Sequence, residues 1–151
     1  MMVDVLSPVA GQRQAVSEMP DPVFATGLVG PGAAIVPLPG RQSAVSPIDG
    51  TLSKVFPHAY LVVSDRGPAV LVHLGIDTVQ LHGDGFTSLA AEHQWVHAGQ
   101  AIVSWDPAEV ERTGRSAMCA VVVLDCPYPA VPLQEWGEHV EASEPLFSIE
   151  C

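Results

Sequence analysis

The chain has 151 residues, of which 48% are apolar, and it carries 17 acidic side chains against 6 Lys and Arg. This length and composition predict one globular domain with its own core and exclude a disordered chain. The net charge of −11 would repel a phosphate backbone, so it excludes nucleic-acid binding. The charge either attracts a basic protein partner or simply keeps the protein soluble.

The sequence also indicates the cellular compartment of the protein. No apolar run approaches the roughly 18 residues of a transmembrane helix, so no direct membrane insertion is expected. The N-terminal residues lack the basic and apolar regions of a signal peptide. The three cysteines, Cys119, Cys126 and Cys151, form no CxxC motif, and their odd number predicts reduced thiols. We therefore expect a cytoplasmic protein.

Strand predictions begin at Gly32. Residues 1–31 are rich in turns and are interpreted as loops with room for one early strand. We expect residues 1–15 to be a flexible segment ahead of a single domain over residues 16–151. Short β-branched runs separated by Gly, Pro, Asp or Ser then predict strands. These runs are AAIVP, SAVS, TLSKVF, AYLVVS, PAVLVHL, QAIVSWD, AMCAVVVLD and LFSI.

One or two short helices interrupt the strands. Asp106 can cap a helix that begins at Pro107, Glu109 stands where a capping box needs it, and Gly114 would end the helix. The segment FTSLAAEH, residues 86–93, is expected to add a single helical turn. With so little helix, the predicted class is all-β, a sandwich or barrel of short strands.

Two histidines lie near the ends of neighbouring predicted strands. If the two runs pair around a two-residue loop at 65–66, the antiparallel register places His58 opposite His73. Their Cβ atoms would then be about 4.5–5.5 Å apart on one face of the sheet. The same register places Tyr60 opposite Leu71. A loop longer by an odd number of residues would separate the rings.

A pair of facing imidazoles can have three roles, and the residues alone do not decide among them. They are ordinary histidines of a half-buried sheet, two ligands of a metal, or a nucleophile with its helper. A metal needs a third donor, for which Asp77 or His82 is a candidate, although no HxH or HExxH motif is present. Neutral imidazole can accept a phosphoryl group at one ring nitrogen, while a second imidazole donates a hydrogen bond to the phosphoryl oxygens.

The surrounding sequence resembles a known family. SPIDGTLSKVF, HA at His58 and VHLGIDTVQLHGDGF closely resemble the glucose-type enzyme IIA domain (IIA-Glc family) of the bacterial phosphoenolpyruvate:sugar phosphotransferase system. MPDPVFATGLVGPGAAIVP and VHAGQAIVSWD match the same family, so the resemblance covers roughly residues 16–150. It implies an antiparallel β-sandwich and a phosphotransferase component without a cofactor. Such a phosphocarrier accepts phosphate from phospho-HPr and donates it to a cysteine of the IIB domain of a sugar permease, for sugar uptake.

The resemblance also implies roles for individual residues. His73 corresponds to the phosphorylated histidine, modified at Nε2, and His58 to the histidine that hydrogen-bonds to the phosphoryl oxygens. Asp77 and Asp21 correspond to acidic residues at the rim, which would meet arginines of HPr. An apolar collar that excludes water corresponds to Val23, Phe24, Leu28, Phe56, Leu71 and Val79.

One feature departs from the family pattern. Family members often have a longer loop before HA, with a threonine whose hydroxyl supports the second histidine. Here the sequence is FPHA and offers no hydroxyl. We therefore expect a backbone carbonyl to orient His58.

Other functional classes share parts of this sequence pattern. A biotinyl or lipoyl carrier module needs a lysine at a hairpin tip, but Cys119 stands at that place and the only lysine, Lys54, lies in a predicted strand. A zinc-binding hydrolase of a related fold would need an HxH motif together with an HxxxD motif, and no HxH is present. A metal between His58 and His73 would thus need a carboxylate from a partner. A regulatory module that binds other protein targets is compatible with the phosphocarrier.

Overall fold

Strands dominate the computed structural model, which describes residues 2–151. The strands are β1 (Met2–Leu6), β2 (Gly11–Ala15), β3 (Gly32–Pro37), β4 (Gln42–Val45), β5 (Gly50–Phe56), β6 (Ala59–Val63), β7 (Ala69–His73), β8 (Thr87–Ser88), β9 (Trp95–Val96), β10 (Ala101–Trp105), β11 (Cys119–Leu124), β12 (Val131–Pro132), β13 (His139–Val140) and β14 (Pro145–Glu150). Two short α-helices, α1 (Pro22–Ala25) and α2 (Pro107–Arg112), and two 3-10 helices, at Val16–Glu18 and Thr78–Leu81, complete the fold.

The strands form three antiparallel sheets that share one core. The largest has the order β13-β2-β3-β11-β7-β6-β5-β9, and the smaller ones have the orders β1-β14-β12 and β4-β10-β8. Val72 of the large sheet, Phe147 of β14 and Trp105 of β10 are all fully buried in the same apolar cluster. Sheets that bury one face against each other in this way form a sandwich. The predicted all-β, antiparallel class is confirmed.

Alternation along β7 places His73 on the face of the large sheet that points away from the main core. Val70 and Val72 are fully buried in that core, whereas Leu71 and His73 are half-buried on the opposite face. Leu71 packs there against a second apolar cluster. That cluster consists of Met19, Phe24, Ala34, Ala120 and Val122. His73 therefore borders a small separate core.

The main predicted strands and the helix after Asp106 are confirmed. The Asp106 carboxylate accepts a hydrogen bond from Ala108 N at 2.9 Å, and Pro107 is the first helical residue. Glu109 does not complete a capping box, because its carboxylate contacts Arg41 at 3.5 Å.

The helical turn predicted in residues 86–93 is wrong. Thr87–Ser88 instead forms β8, which pairs with β10, and Leu89 N donates to Ile102 O at 2.8 Å. The backbone groups of this segment are thus satisfied by a neighbouring strand and not within a helix.

Residues 2–15 belong to the segment that the sequence predicts to be flexible, and the structure describes two strands there. β1 pairs with β14, with Met2 opposite Glu150, and β2 pairs with β3. Val5 and Val9 are fully buried in the main core. Residues 2–15 therefore pack into the same core as the strands that follow. The longest helix among residues 2–151 has six residues, so no helix described by the structure can span a bilayer.

A disulfide joins Cys126 and Cys151, which corrects the prediction that all three thiols are reduced. The fold brings the residues after β11 and β14 together, with 5.6 Å between the two Cα atoms, and this separation suits a disulfide. Cys119 is free and buried within β11.

Candidate functional site

The register between β6 and β7 differs from the predicted one by one residue. Tyr60 lies opposite Val72, not Leu71, and Ala59 lies opposite His73. The cause is a longer loop, since Ser64 N donates to the carbonyl of Pro68 at 2.8 Å. One added loop residue shifts every facing pair by one.

The two imidazoles nevertheless meet, with ring centroids 5.2 Å apart and ring planes at 68°. His58 lies outside the strands, in the two-residue turn between Phe56 and Ala59, which face each other across β5 and β6. Its carbonyl accepts a hydrogen bond from Leu74 N at 2.8 Å, which ties the turn to the end of β7. A turn residue does not follow the alternation of a strand. The expectation that a shifted register separates the rings is therefore wrong.

A hydrogen bond fixes the tautomer of His73. Its Nδ1 lies 2.6 Å from the carbonyl oxygen of Gly75. Because a carbonyl oxygen can only accept, we assign the proton to Nδ1, which leaves the lone pair on Nε2. The sequence reasoning missed Gly75. The available signal was a glycine two residues after the end of a strand that carries a candidate nucleophile.

The loop that presents this carbonyl is itself held in place. Gly75 has φ +80°, and a Cβ added there would lie 2.6 Å from Thr78 Cγ2 and 3.0 Å from Ser116 O. Thr78 Oγ1 donates to Leu74 O at 2.8 Å, and Ile76 N donates to Ser116 O at 2.9 Å. Only glycine suits this backbone and this space.

Ring contacts, and not a hydrogen bond, hold His58. The imidazole of His58 makes no hydrogen bond to any residue in the described range 2–151, so the expected backbone carbonyl is not found. The centroid of the Phe56 ring lies 6.0 Å from that of the His58 ring, at an interplanar angle of 31°. The second ring in contact with His58 is that of His73. Both ring nitrogens of His58 thus stay available to a ligand.

Both imidazoles are neutral at pH 7. Burial lowers the pKa of His73, while the Gly75 carbonyl, Asp21 and Asp77 oppose this shift. Burial also lowers the pKa of His58, and the nearby His73 adds to the effect. Since an exposed imidazole already has a pKa of about 6.5, lowering it keeps the unprotonated form dominant.

The two acidic residues predicted at the rim lie near His73, where both affect its pKa. Asp21 precedes α1, and its Oδ1 accepts a hydrogen bond from Val23 N at 2.9 Å. Asp77 is exposed, has φ +59° and precedes the 3-10 helix Thr78–Leu81. The structure thus places one carboxylate on each of two segments that flank the imidazoles.

The residues predicted to form the apolar collar differ in their burial. Phe24 is buried and its ring lies 5.5 Å from that of His73, and Phe56 contacts His58. Leu71 belongs to the second apolar cluster. The remaining three side chains are exposed on the segments that flank the imidazoles. They are Val23, Leu28 and Val79.

Two small residues beside His73 escaped the sequence reasoning. Ala59 of β6 and Ala120 of β11 lie directly opposite His73 on either side, and both are buried. Directly opposite residues share a face of the sheet. The imidazole of His73 therefore stands between two methyl groups.

The alternative readings receive little support from the geometry. Among residues 2–151, no three His, Cys, Asp or Glu side chains are grouped to hold a metal ion, so neither Asp77 nor His82 completes a site with the imidazoles. A metal bound by His58 and His73 would take further ligands from another molecule. Cys119, at the place of a carrier lysine, is fully buried within β11 and not at a hairpin tip.

Comparisons with known proteins agree on one family. The family described as phosphoenolpyruvate-dependent sugar phosphotransferase system, EIIA 1, matches residues 3–127. The glucose-specific EIIA component of Haemophilus influenzae is 31% identical over 149 residues, which are 97% of this chain and 89% of that protein. The glucose-specific EIICBA component of Streptococcus pneumoniae is 42% identical over 121 residues, which are 79% of this chain but 16% of that protein.

A solved structure extends the agreement to the fold. The glucose permease IIA of Mycoplasma capricolum superimposes with a TM-score of 0.89 and 28% sequence identity, covering 99% of this chain and 97% of that one. The chain therefore belongs to the EIIA family of the phosphoenolpyruvate-dependent sugar phosphotransferase system, whose members are phosphotransferase components that carry phosphate for sugar uptake.

Proposed function

We propose that Nε2 of His73 is the atom that carries the phosphoryl group between phospho-HPr and a cysteine of a IIB domain. In the first step the Nε2 lone pair attacks phosphorus, and the nitrogen–phosphorus bond of the donor breaks. In the second step a thiolate sulfur attacks the same phosphorus, and the lone pair returns to Nε2. Both are displacements at phosphorus, and they need positioning and charge stabilisation more than covalent chemistry by other residues.

The single observation that carries this proposal is the hydrogen bond from His73 Nδ1 to the Gly75 carbonyl at 2.6 Å. It keeps the proton on the nitrogen that does not react. It also orients the ring through a backbone group that cannot rotate away. A neutral imidazole with one committed nitrogen is the form that phosphoryl acceptance requires.

His58 is assigned the supporting role. Its ring lies 5.2 Å from that of His73 and uses none of its nitrogens for hydrogen bonds within residues 2–151. A nitrogen–hydrogen group there can donate to a phosphoryl oxygen on Nε2. Such a donor stabilises the negative charge that the three oxygens share during transfer.

The surroundings favour a long-lived phosphohistidine. Phe24 covers one side of the His73 ring, and Phe56 covers part of His58. Apolar groups limit the access of water to the phosphorus, and so they slow hydrolysis. The exposed side chains of Val23, Leu28 and Val79 add apolar area on which a protein partner can dock.

The partners follow from the family. EIIA components receive phosphate from HPr and pass it to EIIB. In some relatives EIIA and EIIB belong to one chain, as in the N-acetylglucosamine-specific EIICBA component of Escherichia coli. A carrier that alternates between two proteins must share their compartment. We therefore infer a cytoplasmic location for this chain.

The test uses matched glutamine variants of three histidines. The wild type, His73→Gln, His58→Gln and His97→Gln are incubated with phosphoenolpyruvate, enzyme I and HPr, and acid-labile phosphate is measured. His73→Gln should carry none. His58→Gln should accept phosphate but pass it to IIB about 100-fold more slowly. His97→Gln, an exposed histidine outside the site, should match the wild type. Phosphate on His73→Gln at the wild-type level would refute the assignment.

A further inference from the structure

The Cys126–Cys151 bridge connects two different sheets. Cys126 lies two residues after β11 in the eight-stranded sheet, and Cys151 directly follows β14 in the three-stranded sheet. The bridge therefore joins the end of one strand to the end of another that is not its hydrogen-bonded neighbour. It fixes a pair of segments that lie 25 residues apart in sequence.

A reductant can reach the bridge. Cys151 is exposed, while Cys126 is 9% exposed. An open cleft of about 250 Å³ is lined by Cys151 together with Arg66 and Asp125. A second cleft, of about 480 Å³, lies on the side of Cys126 and includes Leu28. Exposed disulfides are the ones that exchange with thiols most readily.

The fold does not require this disulfide for its stability. The core contains large, fully buried side chains such as Trp105, Tyr60 and Phe147, and a chain of this size can be stable without cross-links. This argument also rests on the proposed function, because a carrier that meets HPr works in a compartment where disulfides are rare and mostly transient. A bridge that is neither required for folding nor stable in its compartment is expected to open and close.

We propose that Cys126 and Cys151 form a reversible thiol–disulfide exchange site for dithiol reductants, and that its oxidised form latches the end of β14 to the end of β11. A thiolate of the dithiol attacks the exposed Sγ of Cys151. The sulfur–sulfur bond breaks, and Cys126 leaves as a thiolate that takes up a proton. The second thiol of the reductant then attacks the mixed disulfide and releases Cys151. Two electrons and two protons pass to the protein, and the dithiol becomes a disulfide.

A hydrogen-bond acceptor is available to the Cys126 thiol that reduction releases. Cys126 Sγ lies 3.4 Å from the carbonyl oxygen of Glu150, which can accept a hydrogen bond from the released sulfhydryl. This contact keeps Cys126 beside the residue that precedes Cys151. The two sulfurs therefore stay close enough for the bridge to form again when an oxidant is present.

The latch is separate from the phosphoryl site. His73 is positioned by its ladder partners Ala59 and Ala120 and by the Gly75 carbonyl. None of these contacts involves Cys126 or Cys151. Opening the bridge should therefore loosen the sheet β1-β14-β12 and leave phosphoryl transfer at His73 largely unchanged.

The test compares the full-length wild type with Cys151→Ser and with Cys119→Ala, which keeps the bridge. Each protein is equilibrated with oxidised or reduced dithiothreitol, alkylated in the folded state and examined by peptide mass spectrometry. In the wild type, Cys126 and Cys151 should be alkylated only after reduction, and re-oxidation should remove the labelling. Reduction should lower the melting temperature by about 5–10 °C in the wild type and in Cys119→Ala, but not in Cys151→Ser.

Three results would overturn the latch. These are alkylation of both cysteines after oxidised dithiothreitol, a bridge that dithiothreitol does not open in the folded protein, and a more than tenfold loss of His73 phosphorylation on reduction. The phosphate assay is read separately from alkylation. Absence of phosphate on His73 in both redox states would refute the proposed function, and it would leave the alkylation result to decide the latch alone.

Discussion

Ala59, and not His58, lies directly opposite His73 in the ladder between β6 and β7. His58 reaches the ring of His73 from the turn that precedes β6. The pairing of the imidazoles thus depends on a two-residue turn and on the hydrogen bond from Leu74 N to the His58 carbonyl. One histidine is fixed by a sheet and a backbone carbonyl, and the other is placed by a turn.

A substitution at Gly75 tests the carbonyl that orients His73. Gly75 and Gly114 both have left-handed backbones, with φ +80° and +85°, but an added Cβ meets Thr78 and Ser116 only at Gly75. Each Gly→Ala change should cost about 1 kcal/mol of unfolding free energy from the backbone alone. Gly75→Ala should also displace the carbonyl and slow phosphorylation by phospho-HPr about tenfold or more. Equal phosphorylation rates for Gly75→Ala and Gly114→Ala would contradict the proposed role of the carbonyl.

The lowered pKa values of His58 and His73 predict how stability depends on pH. As pH falls below about 6.5 the unfolded chain binds protons that the folded site resists, so the free energy of unfolding decreases. The decrease ends once pH is below the pKa values of the folded state. Urea denaturation between pH 7.5 and 5 should therefore show a larger loss for the wild type than for His58→Gln.

Phosphoryl acceptance should fall only at the lower pH at which His73 of the folded protein is protonated, because a protonated His73 has no lone pair on Nε2. His97→Gln serves as the control for both measurements, since it leaves the two site histidines in place. It should reproduce the wild-type dependence. If His58→Gln and the wild type lose the same stability on acidification, the buried neutral state of His58 is wrong.

The aromatic side chains at the site should contribute differently to stability. Phe24 is 6% exposed and belongs to the second apolar cluster, whereas Phe56 is 52% exposed. Phe24→Ala should lower the free energy of unfolding by about 3 kcal/mol or more, and Phe56→Ala by less than about 1 kcal/mol. Chemical denaturation measures both.

Variants of Phe24 also test protection of the phosphohistidine. Phe24→Ala removes the ring that covers His73 and should shorten the half-life of the phosphorylated form in buffer. Phe24→Leu, which keeps apolar bulk, should restore most of it. Unchanged half-lives in all three proteins would show that the ring does not shield the phosphorus.

The carboxylates of Asp21 and Asp77 are predicted to act on partner binding. Asn replaces both with little backbone cost, because Asn also caps helices and tolerates a left-handed backbone. The double variant Asp21→Asn/Asp77→Asn should raise the KM for phospho-HPr about fivefold at low salt, with kcat changed less than about twofold. The increase should shrink as salt is added.

Asp65→Asn is the matched control, since Asp65 is exposed in the loop at the opposite end of β7. It removes one negative charge without touching the rim, whereas the double variant removes two, so its KM is compared with half of the logarithmic change of the double variant. A KM for Asp65→Asn that rises by that half would assign the effect to net charge and not to the rim.

Local patterns predicted the strands well, and non-local contacts explain most of the errors. Runs such as TLSKVF and AYLVVS form a hairpin whose partners are adjacent in sequence. β1 pairs with β14 at the other end of the chain, and no local pattern in residues 2–6 reveals that partner. The Cys126–Cys151 bridge depends on the same arrangement, because only the completed sandwich brings β11 and β14 together.

The residues that carry the chemistry of the site were easier to predict from the sequence than their geometry. His58 and His73 were identified by residue type and by the family resemblance, and the structure brings their rings together. The register was wrong because the letters Asp-Arg do not fix the length of a loop. Gly75 was missed because its contribution is a backbone carbonyl, which every residue has, and only the folded loop shows where it points.

The two alanines beside His73 have a consequence for the kind of molecule that can trade phosphate with it. A donor that is itself a folded protein approaches with a broad surface that cannot enter a narrow crevice. The alanines at positions 59 and 120 add only methyl groups beside the imidazole, so they obstruct such a surface little. Bulkier residues at these two positions would obstruct the approach of a protein more than that of a small molecule. The two alanines therefore help His73 to exchange phosphate with macromolecular donors.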